Sequence, residues 1–251
     1  MSHPRDRFIT VYGRKPALEA LADPAITIDK LWIASNARGE LIEEITAAAR
    51  ARGVRPERRP PRDVTRLSRN GRQDQGVALD VLAPRMTALD DFLGAAPESA
   101  QVLLLDGVTT PGNVGLILRV ATAAGFDGVV LPRAGCPEVG PLVIKASAGV
   151  AFRAPILRAP SAGEAAAALG AAGFVLIGLA ASGADDLYLT PLPPRAAWVL
   201  GGETAGLSPA VEATLDRRVR IPMRGAVESL NVATAAAVVA FEVQRRLLGG
   251  A

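Results

Sequence analysis

Apolar and polar positions along this chain alternate at two periods, and the switches between them mark out strands and helices in turn. Tyr12-Gly13-Arg14-Lys15-Pro16 opens a predicted helix that runs through Leu21. Leu31-Trp32-Ile33-Ala34 predicts a strand, and residues 39–52 a helix that sets Leu41, Ile42, Ile45 and Ala49 on one face before Gly53 stops it. Residues 76–82 predict a strand that closes this first unit, and residues 84–99 a connector, partly helical around Leu89 to Leu93. Residues 101–106 then form an unbroken apolar run, as in a strand of a sheet covered on both faces. A loop, 107–112, leads to a helix that reaches about Ala124 and ends at Gly125. Further strands are predicted at 128–131, 174–179, 197–201 and 218–221, with alanine-rich helices near 162–172 and 233–240. The last helix, 229–248, is apolar almost all round, which fits a buried or dimer-facing element. Strand–helix alternation of this kind predicts an α/β fold with a parallel sheet.

Composition narrows the chemistry by subtraction. The chain has 251 residues with one cysteine, Cys136, and one histidine, His3. That excludes an intramolecular disulfide, a cysteine-cluster metal site and, with His3 so near the start, a Ser-His-Asp triad or a histidine-ligated zinc. No metal is expected. No apolar run is long enough to span a membrane, and the polar start lacks the apolar segment of a signal peptide, so a cytoplasmic protein is expected. The net charge of +3 hides an asymmetry. Residues 1–85 carry 16 Lys and Arg against 11 Asp and Glu, whereas residues 86–251 carry 12 against 14. Nine arginines fall within residues 50–72, with only Glu57 and Asp63 among them. Such a run reads either as a solvated helix end and loop or as a phosphate-binding surface, because guanidinium forks match phosphate oxygens. No aromatic lies in that stretch to stack on bases.

Three loops at predicted strand ends carry more chemistry than a connection needs. The first, 106–119, holds Asn113, a possible helix N-cap, and Arg119, a cation among Leu116, Ile117, Leu118, Val120 and Ala121. With no acid at helical spacing, Arg119 is expected to reach a cleft or a distant carboxylate. The second, 200–208, sets Glu203 between glycine-rich turns, either as a solvated turn residue or as a site carboxylate. The third, 221–231, runs into the last helix, with Ser229 a possible cap and Asn231 a poor helix former inside the first turn. No GxxxxGK[ST] or GxGxxG loop follows a strand, so nothing points to ATP or a dinucleotide. Loops at the carboxyl ends of parallel strands form a ligand crevice.

Three segments in order, Asn113-Val-Gly115-Leu-Ile-Leu-Arg119, Leu-Gly-Gly-Glu-Thr-Ala-Gly-Leu-Ser at 200–208 and Ile-Pro-Met-Arg-Gly-Ala-Val-Glu-Ser-Leu-Asn-Val-Ala at 221–233, resemble the motifs of the SpoU (TrmH) family of RNA ribose 2′-O-methyltransferases. The resemblance covers about 101–247. Residues 8–82, anchored by Val11-Tyr-Gly-Arg-Lys-Pro-Ala-Leu-Glu-Ala-Leu21, resemble the family's substrate-binding domain, itself similar to a ribosomal-protein fold. In the second motif, where the family usually has a glycine after the acid, this chain has Thr204. The resemblance implies an RNA-binding domain at 1–83, a linker at 84–100 and a trefoil-knotted methyltransferase domain at 101–251. It further implies a homodimer that binds S-adenosylmethionine through Leu200, Gly201, Ile221, Met223 and Leu230. Asn113, Arg119, Glu203, Ser229 and Asn231 are the implied catalytic set, and Arg14, Arg55, Arg58, Arg59 and Arg62 the implied RNA contacts. Family proposals make the residue matching Arg119 the base. Because guanidinium stays protonated in proteins, the alternative is that Arg119 binds the target phosphate.

The leading expectation is therefore methyl transfer to a ribose 2′-hydroxyl of ribosomal RNA, with 23S ribosomal RNA first. Transfer RNA is the nearest alternative. A non-catalytic RNA-binding or ribosome-assembly protein on the same fold is the alternative of a different class. A small-molecule α/β enzyme leaves the arginine cluster unexplained.

Overall fold

The computed structural model describes residues 7–225 and 228–249, so His3 lies outside the described residues. The chain divides into two units, 7–84 with 139–141, and 85–138 with 142–249.

In the first unit, β1 (Phe8–Tyr12), α1 (Arg14–Ala22), β2 (Ile28–Ala34), α2 (Glu40–Ala51), β3 (Pro56–Arg59), α3 (Pro61–Ser68) and β4 (Val77–Leu82) follow one another. The sheet order is β1-β4-β2-β3, with β4 antiparallel to both neighbours and β3 parallel to β2. Register sorts its side chains onto two faces. Ile9, Val11, Leu31, Ile33, Val77, Leu79 and Val81 make the buried one. α2 forms because Ile42, Ile45 and Ala49 recur at helical spacing and are all buried. The arginine-rich stretch, one reading of which was a helix end and loop, is instead the end of α2, then β3 and α3. β3 offers no pattern in sequence, whereas α3 is strongly amphipathic and carries Pro61 and Asp63 in its first turn. β3 is a polar edge strand, Pro-Glu-Arg-Arg, and α3 fully buries only Val64 and Ser68 before Arg69 ends it in the left-handed region.

The second unit holds β5 (Thr87–Ala88), α4 (Leu89–Ala95), β6 (Ala100–Asp106), α5 (Pro111–Ala123), β7 (Gly128–Pro132) and α6 (Pro141–Ala146). Then come β8 (Ile156–Ala159), α7 (Ala162–Ala171), β9 (Val175–Leu179), β10 (Asp185–Asp186), β11 (Arg195–Gly201), α8 (Pro209–Glu212), β12 (Arg217–Arg220) and α9 (Val232–Gly249). Residues expected as a connector thus belong to this unit: β5 pairs with β8, and Leu89, Phe92 and Leu93 pack against its core. The eight strands lie in the order β10-β12-β9-β11-β6-β7-β8-β5, every pair parallel. All seven residues of β6 are buried, which is why its sequence shows no alternation. Within this core Trp198 Nε1 donates to Gln101 Oε1 at 3.0 Å.

β6 and β11 are neighbours in the sheet, yet the chain leaves β6 toward β7 and β8 and returns on the other side through β9. A crevice therefore opens beyond the carboxyl ends of β6 and β11, where the connections part.

The far end of α9 is pinned. The Glu242 carboxylate accepts from Arg245 Nε and Nη2, each at 2.9 Å, and from Arg246 Nε at 2.7 Å. Arg246 also reaches the carbonyls of Leu187 (2.5 Å) and Thr190. Hydrogen bonding from Arg245 outweighs the effect of burial and, with Arg246, holds the Glu242 carboxyl down to about 2. Its pKa is lower folded than unfolded, so the stabilisation is whole above the ordinary carboxylate range and fades as pH falls toward 2. The melting temperature of the native protein should therefore exceed that of Glu242→Gln at neutral pH, with the gap closing between about pH 5 and pH 2. A gap independent of pH in thermal melts would show that the carboxylate's charge plays no part.

Candidate active site

Three loops meet at the crevice, and each delivers one polar side chain. Pro111 starts α5 at its first turn, with Thr110 as the residue that precedes it, so Asn113 lies inside the turn rather than capping it. Its side chain is almost fully buried and donates from Nδ2 to Glu203 Oε1. The Glu203 carboxylate also accepts from Asn231 Nδ2 at 3.1 Å and, on its second oxygen, from Thr110 Oγ1 at 3.4 Å. Asn231 Nδ2 lies 3.2 Å from Asn113 Oδ1, which closes a triangle of two amides and one carboxylate. Glu203 is exposed as a residue, but its carboxylate is held from three sides rather than solvated freely.

The last helix begins at Val232, not at Ser229, and its cap is Asn231. Asn231 Oδ1 accepts from the Ala233 and Thr234 amides at 2.9 and 3.3 Å, while its backbone carbonyl receives the first helical bond, from Ala235. One end of this amide thus starts α9 and the other end joins the triangle. Ser229 is exposed two residues before the cap.

The second loop is shaped by backbone contact. Gly202 and Gly206 exchange N–H···O bonds at 2.9 and 3.0 Å. A Cβ on Gly201 would lie 2.4 Å from the Gly206 carbonyl carbon, and one on Gly202 would lie 2.5 Å from the Gly107 oxygen. No side chain fits at either position. Asp106, at the end of β6 and nearly buried, ties the loop's exit by accepting from the Ser208 amide at 2.6 Å.

Beside the triangle lies a cavity of about 680 Å³. Leu200, Gly201, Ile221, Met223 and Leu230 line it together, as do Glu203, Ser229 and Asn231. Leu179, Leu207, Val219 and Val232 add apolar side chains to its wall. Among the described residues that line it are three glutamates, Glu203, Glu212 and Glu228, and no lysine or arginine. Such a lining favours a cationic ligand with an apolar flat part and disfavours a phosphate-bearing one.

Arg119 stands apart. The sequence leads one to expect that Arg119 reaches a cleft or a distant carboxylate; instead it is exposed and makes no ion pair among the described residues. Its sequence neighbours are not its spatial neighbours. Asn113, Val114, Ile117, Leu118 and Ala121 face the core, while Leu116 and Arg119 share the outward side of α5. Arg119 does not line the cavity. Cys136 offers no nucleophile either, since burial pushes its thiol up to about 11.

Sequence reasoning missed Asp106 and Thr110. An acid ending a fully apolar strand was the available signal for Asp106; Thr110 has none.

In the first unit the five implied RNA-contacting arginines do not behave alike. Arg55 and Arg62 are exposed. Arg58 directs Nη1 at the carbonyls of Ala34 (3.1 Å) and Ala37 (2.9 Å), and Arg14 directs Nε at that of Gln75 (3.3 Å). Arg59 pairs with Glu57 and lies over the Trp32 ring. Arg52, from the same cluster, is structural, donating to the carbonyls of Ala20, Leu21, Asp23 and Ile26.

Residues 100–241 match the SpoU rRNA Methylase family, and residues 10–87 match the family described as RNA 2′-O ribose methyltransferase substrate binding. The chain belongs to the SpoU rRNA methylase family. The 23S rRNA (guanosine-2′-O-)-methyltransferase RlmB of Xanthomonas axonopodis pv. citri is 34% identical over 242 residues, covering 95% of this chain and 97% of that one. RlmB of Ralstonia nicotianae is 34% identical over 229 residues, 90% of this chain and 91% of that one. Among solved structures, the SpoU methyltransferase AviRb from Streptomyces viridochromogenes, in complex with the cofactor AdoMet, matches with a TM-score of 0.68 at 27% identity. The match covers 98% of this chain and 93% of that one. As a SpoU methylase with the substrate-binding unit, the protein is an S-adenosylmethionine-dependent RNA ribose 2′-O-methyltransferase. The cavity suits that cofactor, whose sulfonium and ammonium are cationic and whose adenine needs an apolar slot with backbone partners.

Proposed function

We propose that this SpoU methylase acts on 23S ribosomal RNA, working as a homodimer in the cytoplasm through the site described above. The observation that supports the site most is the Asn113–Glu203–Asn231 triangle, because it joins all three loops at the mouth of a cavity lined by two of them. The 23S substrate is the one printed for the RlmB relatives.

Bound S-adenosylmethionine supplies a methyl group activated by its sulfonium. Backbone groups of Leu200, Gly201, Ile221, Met223 and Leu230 hold it, with the glutamate-rich wall favouring its positive charge. Asn113, Glu203 and Asn231 fix the geometry of the mouth, and Ser229 lines it, so that much of the rate arises from alignment. Arg119 is assigned to the phosphate of the target nucleotide, where its charge stabilises negative charge developing on the ribose oxygen. A solvent-facing guanidinium suits that role better than proton abstraction. A dimer is supported by apolar side chains exposed on α5 and α9, Leu116 and Phe241, which would bring Arg119 to the interface. The trefoil knot is proposed on the family resemblance. Among the described residues no helix is long and apolar enough to cross a membrane.

Labelled methyl transfer to purified 23S ribosomal RNA and to transfer RNA, followed by mapping of the modified nucleotide, tests the substrate. Incorporation into transfer RNA alone would replace the ribosomal assignment. Arg119→Ala should lower turnover by about 10²-fold with cofactor affinity unchanged by calorimetry. Near-full turnover in that variant would remove Arg119 from the chemistry.

A further inference from the structure

The second face of the first unit's sheet, where Ala78 and Asp80 are buried, carries an aromatic–cation cluster that the arginine-rich stretch alone does not reveal. Trp32 on β2 points away from Leu31 and Ile33, toward the side shared with Thr10, Asp80, Lys30 and Glu57. Its ring is half-buried, with Arg59 Cζ 5.1 Å and Lys30 Nζ 5.7 Å from its centroid. Arg59 comes from the neighbouring strand β3 and is side-chain exposed by 44%. Arg55 and Arg62, at either end of β3, are exposed as well. The indole N–H is buried without a hydrogen-bond partner, a cost that phenylalanine at this position would avoid. What tryptophan offers in return is the larger ring face, the strongest of the aromatic side chains for holding cations and for stacking.

We infer that Trp32, with Arg59 and Lys30, forms a platform that stacks an unpaired base of the RNA while Arg55 and Arg62 meet the flanking phosphates. The inference rests on RNA as the substrate. The Arg59 guanidinium lies over the indole, and the outer face of that stack is a surface on which a base can extend it, whatever the base's sequence. Duplex RNA hides those faces, so the platform favours single-stranded or bulged nucleotides. Each cation also has a local acid, Lys30 with Asp80 at 3.2 Å and Arg59 with Glu57. Selectivity here accordingly comes from stacking more than from net charge.

The chain's two tryptophans make the test direct, because the other, Trp198, is buried in the core of the second unit. A short single-stranded oligoribonucleotide of mixed sequence should quench the fluorescence of the full-length protein, and Trp32→Phe should abolish most of the quench. Trp32→Ala should weaken binding of that oligonucleotide about tenfold, and Arg59→Ala by a smaller factor, with cofactor affinity unchanged by calorimetry. A duplex of the same sequence should compete poorly. Undiminished quenching in Trp32→Phe, or wild-type affinity in Trp32→Ala, would overturn the platform. Loss of methyl transfer in the unmodified protein, by contrast, would strike the assigned activity and leave the quenching result to stand on its own.

Discussion

Glu203→Ala is expected to cut methyl transfer by about 10²-fold while leaving cofactor affinity within a few fold. Its carboxylate accepts from Asn113, Asn231 and Thr110, so its removal frees three donors that come from two different loops. The Asn113 amide suffers most. It is almost fully buried, and an unpaired buried donor costs about 1–3 kcal/mol. The two amides then relax independently, and displacements of the order of an ångström at an alignment-driven site are worth about two orders of magnitude. Glu212, Glu228, the apolar side chains and the glycine backbone of the cavity stay in place, which is why turnover should fall much further than cofactor binding. Single-turnover transfer with saturating cofactor measures the first, and calorimetry the second. A variant within about fivefold of the native rate would show that the triangle is architectural only.

Gly201→Ala should act on the opposite quantity. An added Cβ would meet the Gly206 carbonyl carbon at 2.4 Å, its oxygen at 2.6 Å and the Leu207 amide at 2.7 Å, all of them backbone. No rotamer change relieves such contacts. The Gly202–Gly206 hydrogen-bonded turn must open, and it is the turn that forms the cavity floor. Overpacking of about 1–3 kcal/mol concentrated there should weaken S-adenosylmethionine at least about tenfold and lower the melting temperature. Gly94→Ala, in open space on α4, is the matched control and should do neither. Equal cofactor affinity in Gly201→Ala and the native chain would mean that the loop rearranges without loss.

Legibility in the sequence followed how local the cause was. β6 and β11 were readable because strands buried on both faces are apolar throughout, and the site loops were readable because glycines and lone polar residues at strand ends have few structural excuses. Asn231 reads in sequence as a poor helix former inside the first turn, whereas it is the cap of α9; that its other amide end meets Glu203 follows only from the position of α9. Arg119 stands among apolar residues in sequence, but the helix turns most of them inward and leaves Arg119 exposed, so its chain neighbours do not show what it reaches. β3 is not legible because it is a short polar edge strand held by β2, whereas α3 carries its own signal, an amphipathic stretch with Pro61 and Asp63 in the first turn. The absence of an aromatic within the arginine cluster was true of the sequence and false of the surface. Trp32 reaches Arg59 only once β2 and β3 are paired side by side.

Asn231 links two things that most enzymes keep separate. The same amide caps the longest helix among the described residues and supplies one of the three donors to the Glu203 carboxylate, so the start of the helix and the site are coupled. Fraying of the first turn of α9 removes one of the three donors that hold the carboxylate. Activity is therefore expected to fall on warming before the core melts, which turnover and thermal melts followed over the same temperatures would compare.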